Sequence, residues 1–160
     1  MKLRDRCGDL RGVEKGGAEV EDLNESKKKE FPLPFELEKK CPYYGHLGIA
    51  VVDVDKGFAK LRMPFSEKLT HSFGFLHGGA IASLADAAVA NAVLTLIESD
   101  ERIAAIEVKC NFLIAVGKGT LTAEAKIIHK GFRTAVGEVN IWDSEDRLVA
   151  KAIATYAIIR

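Results

Sequence analysis

The chain has 160 residues, a length that suits one domain with its own buried core. Hydrophobic residues make up 48% of the chain and charged residues 29%, the ordinary balance of a soluble globular protein. The 23 basic and 23 acidic residues give a formal net charge of zero, which argues against binding of nucleic acid or anionic membranes through bulk charge.

The cysteines and the first residues bear on the compartment in which the protein works. Cys7, Cys41 and Cys110 are odd in number and widely spaced, without the paired spacing of metal ligands. Buried or free thiols in a reducing cytosol are therefore expected. The opening stretch, MKLRDRCGDLRGVEKGG, contains no apolar segment of a signal peptide. These features predict a cytoplasmic protein without a metal or redox cofactor.

Residues 1–30 alternate acidic and basic side chains, contain few large apolar ones and end in ESKKKE. Such a segment lacks the apolar surface that would offset its ordering entropy, so a mobile extension or a loosely held exposed helix is predicted. The mixed charges argue against a basic arm for nucleic acid. The folded domain is predicted to span residues 31–160 and to begin with a short helix that stops at the proline-aromatic segment Pro42–Tyr44.

The next segment, GIAVVDVDKGFAKLRMPF, has two alternating runs on either side of Asp55-Lys56-Gly57. Alternation on both sides of a short glycine turn predicts a β-hairpin. In the second run Ala59, Leu61 and Met63 share one face, which is expected to be the apolar side of the sheet.

From Gly78 to Ile97, apolar residues recur at three- and four-residue intervals, the period of one helical face. The run is about as long as a membrane span, but Asp86 near its middle would cost roughly 2.5–3.5 kcal/mol at a bilayer centre. No basic residues flank the run either. The sequence therefore predicts a long helix in the core of the domain.

Four more alternating segments follow the helix, separated by turns at residues 117–119, 130–131 and 143–146. Strands at this spacing without intervening helices predict an antiparallel meander that covers the single long helix, an α+β fold. The residues that share a face are Ile106, Val108, Cys110 and Phe112; Leu121, Ala123, Ala125 and Ile127; Ala135, Val139 and Ile141; and Leu148, Ala150, Ala152, Ala154 and Tyr156.

Two features are unusual for a helix that only fills a core. Asp86 has mostly small neighbours three and four residues away, so a protein backbone or a ligand can approach it closely. Gly78 and Gly79 leave the N–H groups of the first turn open, where the helix dipole favours negative charge. The pattern is typical of an oxyanion site and a carboxylate, although Asp86 alone could also cap a loop or form a structural pair.

Gly78 and Asp86 are eight positions apart, or roughly 12 Å along a helix, too far for both to contact one reacting carbonyl. If both act on the same bond, they must come from two subunits. This inference predicts a two-fold homodimer with antiparallel central helices and two equivalent sites.

These residues resemble a known family. The strings HGGAIASLADAA, IEVKCNFL and GFRTAVGEVNIWDSEDRLVAKAIATYAII are similar to the hotdog-fold acyl-CoA thioesterases of the phenylacetate-degradation (PaaI-like) type, from about Pro42 to the C-terminus. The resemblance implies an antiparallel sheet of five to six strands wrapped around one long central helix. It further implies that Asp86 is the catalytic carboxylate and that the Gly78 N–H polarises the thioester carbonyl.

The resemblance also suggests roles for the residues around the glycine turn. His77 would pack the turn or take part in catalysis, and Gly79 would contact the substrate. Relatives usually carry Asn or Gln six residues before the motif histidine, where this chain has His71. This histidine either orients water or the thioester oxygen, or is an exposed loop residue.

Two further groups are candidate substrate-binding residues. Asn91 is expected to contact substrate or water, or to satisfy a dimer contact. Lys130, Arg133 and Thr134 flank a glycine turn, where cations and backbone N–H groups suit the phosphates of coenzyme A; the alternative is a solvated hairpin tip.

The sequence thus predicts an acyl-CoA thioesterase that hydrolyses a small aryl or medium-chain acyl-CoA, with no cofactor. Asp86 would either attack the carbonyl to form an anhydride or deprotonate a water molecule. The alternative is a non-catalytic acyl-CoA binding or sensing protein, and a third possibility, a hydratase or dehydratase, fits the carboxylate and glycine turn less well. The resemblance implies a homotetramer, packed face to face or back to back.

Overall fold

A computed structural model of the protein describes residues 41–160. The predicted N-terminal extension (1–30) and the start of the predicted domain (31–40), including most of its short helix, lie outside the described residues. The elements are helix α1 (Pro42–Leu47), strands β1 (Ala50–Asp55) and β2 (Phe58–Pro64), a 3-10 turn (Glu67–Leu69), helix α2 (Gly78–Leu94), and strands β3 (Arg102–Phe112), β4 (Thr120–Lys130), β5 (Thr134–Trp142) and β6 (Leu148–Ile159).

The six strands form one sheet in the order β1-β2-β4-β5-β6-β3, and every neighbouring pair is antiparallel. The predicted meander is correct for β4-β5-β6 but wrong for β3, which pairs with β6 at the far edge instead of lying beside β4. The reason is that α2 carries the chain across the sheet from β2 to the opposite edge.

Helix α2 begins and ends with side-chain caps. Nδ1 of His77 accepts a hydrogen bond from the Gly79 N–H at 2.9 Å, and so caps the N-terminus. At the other end Oγ1 of Thr95 donates to the Ala92 carbonyl at 2.7 Å and accepts from the Gly57 N–H at 2.8 Å. The helix therefore ends three residues before the predicted Ile97, because Thr95 ties its last turn to the β1–β2 hairpin.

The sheet packs closely against α2 because small residues face the helix. The alanines of β6 at positions 150, 152 and 154 are buried, as the alternation predicts. At Gly137 of β5, an added Cβ would lie 2.8 Å from Cγ1 of Val89, closer than real Cβ contacts come. The predicted faces of β2, β4 and β5 also form the core, with residues such as Leu61, Leu121 and Ile141 fully buried.

The first hairpin and the first helix follow from local sequence. β1 and β2 meet at the predicted turn, where Gly57 has a φ of +73° that favours glycine. Pro42 starts α1, because proline fits the first helical position and its missing N–H leaves no acceptor unsatisfied. The helix that Pro42 was predicted to stop lies outside the described residues. Within residues 41–160 no helix has the length and hydropathy needed to cross a membrane.

Strand β3 has an apolar face that does not belong to the core of the chain. Val108 and Phe112, which pair with the buried Ala154 and Ala150 of β6, are 37% and 52% exposed, and Ile106, at the register shift, is 58% exposed. The register shifts between Ala105 and Glu107, and β3 is the last strand of the sheet, with β6 as its one strand neighbour among the described residues. The exposed edge and the exposed apolar side chains together indicate an uncovered surface.

Candidate active site

Asp86 lies in the middle of α2, partly exposed, and its side chain is held by a tyrosine from the sheet. The phenol of Tyr156 donates a hydrogen bond to Asp86 Oδ1 and lies 3.1 Å from the Asp86 carbonyl oxygen. Burial raises the pKa of Tyr156 well above its usual value, and the hydrogen bond and charge of Asp86 raise it further, so the phenol stays protonated. The alternation in β6 predicts that Tyr156 shares a face with the alanines of this strand, but no sequence signal assigns it to the site.

A second tyrosine and Asn91 complete the polar cluster on this flank of α2. Asn91 is fully buried, and its Nδ2 donates to the Ala87 carbonyl at 2.7 Å and to Tyr44 Oη at 3.1 Å. The pKa of Tyr44 is raised to about 12, chiefly by burial, with smaller contributions from the charges of Cys41 and Asp86, while the Asn91 hydrogen bond opposes the rise. Asn91 has no exposed surface in the single chain, and its Oδ1 has no hydrogen-bond partner among the described residues. Its contact with substrate, with water or with a second subunit stays a prediction.

The glycine turn presents one open amide at the N-terminus of α2. The Gly79 N–H is engaged by Nδ1 of His77, so its predicted contact with substrate is not supported. As the first helical residue, Gly78 has no carbonyl acceptor within the helix, and its N–H bonds to no other residue in the part of the chain described. The side chain of His77 therefore caps α2, and its part in catalysis stays a prediction.

A cavity of about 300 Å³ opens beside Gly78. The ring of Phe112, at the end of β3, lies against Gly78, where an added Cβ would be 3.1 Å from its Cζ. Aromatic and aliphatic side chains form most of the wall, so the cavity suits an apolar group. Besides Gly78 and His71, its lining includes Phe75, Leu76, Ile81, Phe112, Leu113 and Ile114.

His71 also lines this cavity, and its hydrogen bonds define what it can offer a ligand. Its Nδ1 accepts from the Phe73 N–H at 3.2 Å, and its ring centroid lies 6.4 Å from that of His77. A neutral imidazole that accepts at Nδ1 carries its hydrogen at Nε2 and is a donor there. His71 is therefore equipped to donate a hydrogen bond to a water molecule or a carbonyl oxygen in the cavity.

The hairpin between β4 and β5 carries Lys130, Arg133 and Thr134 and lies at the end of the sheet away from Gly78. The Thr134 carbonyl accepts from the Gly131 N–H at 2.8 Å, and the Arg133 carbonyl accepts from the Ile158 N–H at 2.8 Å. The charge of Lys130 contributes to lowering the pKa of Glu101, just before β3, although the ion pair of that carboxylate with Arg160 is the main cause. The hairpin thus lies near the start of β3, whereas Gly78 lies near its end.

Three groups are therefore separate within one chain: the Gly78 amide with its cavity at the start of α2, Asp86 with Tyr156 at mid-helix, and the cationic hairpin at the far end of the sheet. The chain does not by itself bring Gly78 and Asp86 onto one bond, as the eight-residue separation predicts.

Comparisons with known proteins agree with this architecture. The family model described as "Thioesterase superfamily" matches residues 73–150. The chain is 36% identical over 112 residues to 1,4-dihydroxy-2-naphthoyl-CoA hydrolase of Listeria monocytogenes, covering 70% of this chain and 91% of that protein. It is 34% identical over 107 residues to the acyl-coenzyme A thioesterase PaaI of Escherichia coli, covering 65% and 73%.

A solved structure of a thioesterase from Haemophilus influenzae superimposes with a TM-score of 0.75 at 27% identity, covering 83% of this chain and 94% of that one. The six-stranded antiparallel sheet around one central helix is thus the hotdog fold, as predicted. On its likeness to these proteins over most of their length, the chain belongs to the thioesterase superfamily and is a thioester hydrolase.

Proposed function

We propose that the protein hydrolyses acyl-CoA thioesters to free acid and CoA at sites formed between two copies of the chain. The observation that carries this proposal is that one helix holds two complementary groups, an open Gly78 N–H beside an apolar cavity and the partly exposed carboxylate of Asp86. Within one chain the carboxylate is too far along the helix to act on a carbonyl bound at Gly78. Two relatives named as CoA thioester hydrolases support the substrate class.

In the proposed site the thioester carbonyl oxygen accepts a hydrogen bond from the Gly78 N–H, which lies at the positive end of the α2 dipole. One such donor stabilises the developing oxyanion by about 2.7–4 kcal/mol. Asp86 of the partner either attacks the carbonyl carbon or deprotonates the attacking water, and the thiolate of CoA leaves. The cavity beside Gly78 takes a small aryl or medium-chain acyl group.

Strand β3 supplies the surface on which two copies would pair. Its 11 residues end the sheet, and its exposed apolar face is the kind of surface that a second copy covers. In an antiparallel β3–β3 pair around a two-fold axis, the start of one strand lies beside the end of the other.

This arrangement brings the separated groups together. Asp86 is bound to Tyr156, which is paired with Ala105 near the start of β3, whereas Gly78 lies against Phe112 at its end. Antiparallel pairing of β3 therefore moves Asp86 of one chain towards the partner's Gly78. The cationic hairpin, also near the start of β3, moves the same way and would meet the CoA phosphates. A tetramer of such dimers remains a prediction.

The first test is release of free thiol from a panel of aryl-acetyl-, benzoyl- and medium-chain acyl-CoA esters. We expect turnover of at least one ester, because the carboxylate and the amide donor are both present. Binding of acyl-CoA without thiol release over hours, across the whole panel, would instead favour a non-catalytic acyl-CoA binding protein.

Subunit complementation tests the shared site. Asp86→Asn removes the carboxylate and Gly78→Pro removes the amide hydrogen, so each homodimer lacks one component at both sites. A mixed dimer keeps one intact site, with Asp86 from one chain and Gly78 from the other. Co-expressed chains with different tags, purified through both, should therefore recover up to about half of wild-type activity. Mixed dimers as inactive as their parents would place the site within a single chain.

A further inference from the structure

We propose that Tyr156 is a positioning residue that occupies Oδ1 of Asp86 and thereby leaves Oδ2 to act on the thioester. The inference rests on the proposed function, in which Asp86 is the catalytic carboxylate. It adds a residue to the reaction and assigns separate roles to the two oxygens of that carboxylate.

The position of Tyr156 in the sheet makes it a rigid support. β6 lies between β5 and β3, and the register places Tyr156 opposite Ala135 on one side and Ala105 on the other. Its side chain is 3% exposed, and its backbone is part of a long strand with a neighbour on each side. A donor with so little freedom can hold the carboxylate in one orientation.

The phenol has a single hydrogen and two acceptors within reach, the carbonyl oxygen of Asp86 at 3.1 Å and the carboxylate oxygen Oδ1. An ionised carboxylate is the stronger acceptor, so the hydrogen points to Oδ1. The raised pKa of Tyr156 means that the phenol remains a donor throughout the working pH range.

The mostly small neighbours of Asp86 on the helix leave its side chain room to turn. Without the phenol the carboxylate would sample other rotamers, and a misplacement of about 1 Å can cost on the order of a hundredfold in rate. The same open surroundings that admit a substrate therefore require a separate residue to fix the reacting oxygen.

The assignment is compatible with both chemical routes. In nucleophilic attack Oδ2 forms a bond to the carbonyl carbon, the C–S bond breaks, and its electron pair leaves on sulfur, which takes a proton from water. Water then hydrolyses the anhydride and regenerates the carboxylate. In general-base catalysis Oδ2 takes a proton from the water whose oxygen attacks the carbonyl, the C–S bond breaks with its electron pair on sulfur, and the protonated carboxyl returns that proton to the departing sulfur. The hydrogen bond from Tyr156 to Oδ1 is kept in each case.

Tyr44 offers a matched control in the same cluster. Like Tyr156 it is largely buried and feels the charge of Asp86, but the hydrogen bond of its hydroxyl is with Asn91. Tyr44→Phe and Tyr156→Phe each delete one buried hydroxyl, and only the second removes a hydrogen bond to the carboxylate.

The experiment measures kcat, KM and chemical unfolding of both variants and of Asp86→Asn. Tyr156→Phe should lower kcat about 10- to 100-fold with KM within about twofold of wild type, while Tyr44→Phe keeps kcat. Added to Asp86→Asn, Tyr156→Phe should cause little further loss, because its effect passes through the carboxylate.

A wild-type kcat in Tyr156→Phe would overturn the inference, and so would a variant in which only KM or stability to unfolding is impaired. An equal fall of kcat in Tyr44→Phe would overturn it as well. So would an undiminished further fall of kcat when Tyr156→Phe is added to Asp86→Asn. A fully active Asp86→Asn variant would instead contradict the proposed active site itself. An inactive Asp86→Asn beside a fully active Tyr156→Phe would leave the proposed function standing without this support.

Discussion

Asp86→Asn should lower turnover by at least about a hundredfold while the protein stays folded. The amide has the shape of the carboxylate and still offers an oxygen to Tyr156, so the packing of α2 is retained. It carries no negative charge, however, and is neither a nucleophile nor a base at neutral pH. Loss of a positioned general base typically costs about 10²–10⁴-fold. Loss of an attacking carboxylate would abolish the covalent route.

The measurement is thiol release at saturating acyl-CoA, together with chemical unfolding of the variant. Asp53→Asn is a suitable control, since Asp53 is an exposed acid on β1 and lies outside the site. Undiminished turnover in a folded Asp86→Asn protein would reject the assignment of the carboxylate.

Gly78→Pro should lower kcat by about 10²–10³-fold, because it removes the amide hydrogen that stabilises the oxyanion. Proline is well tolerated at the first position of a helix. His77, which precedes it, has φ −65° and ψ 135°, the extended conformation that a residue before proline adopts. The substitution therefore deletes the donor without breaking α2.

Gly78→Ala is the matched control, since it adds a Cβ but keeps the N–H. The new methyl group would meet Phe112 at 3.1 Å, and that ring is half exposed and has room to shift. We expect the alanine variant to keep kcat within about tenfold of wild type. Equal losses in both variants would mean that crowding against Phe112, and not the amide hydrogen, causes the effect.

Local patterns were enough to predict the strands and the long helix, because each pattern depends on one element alone. The alternation in β2 and β4–β6 and the helical period of α2 reflect one buried face apiece, and the structure confirms them. Asp86 could be singled out for a related reason: a carboxylate among small apolar residues is costly unless it is paired or used. The open turn at Gly78 followed from two glycines at a helix start.

Such patterns could not predict the order of the strands in the sheet. Alternation shows which side of a strand is apolar but does not identify its neighbour, so β3 was predicted within a meander although it pairs with β6. The same limit applied to burial. Apolar side chains of β3 are exposed in the single chain, and Asn91, predicted to contact substrate, water or a second subunit, is fully buried within it.

Composition, periodicity and the spacing of Gly78 and Asp86 were thus enough to predict the long helix and the strands, and to propose a carboxylate and an amide that act from two chains, because each depends on positions close in sequence. The support of that carboxylate depends on Tyr156, 70 positions away. The two residues meet because α2 packs across β6. The register of β6 and the placement of the helix bring the phenol to Oδ1, and no residue close to Asp86 in the sequence indicates this contact.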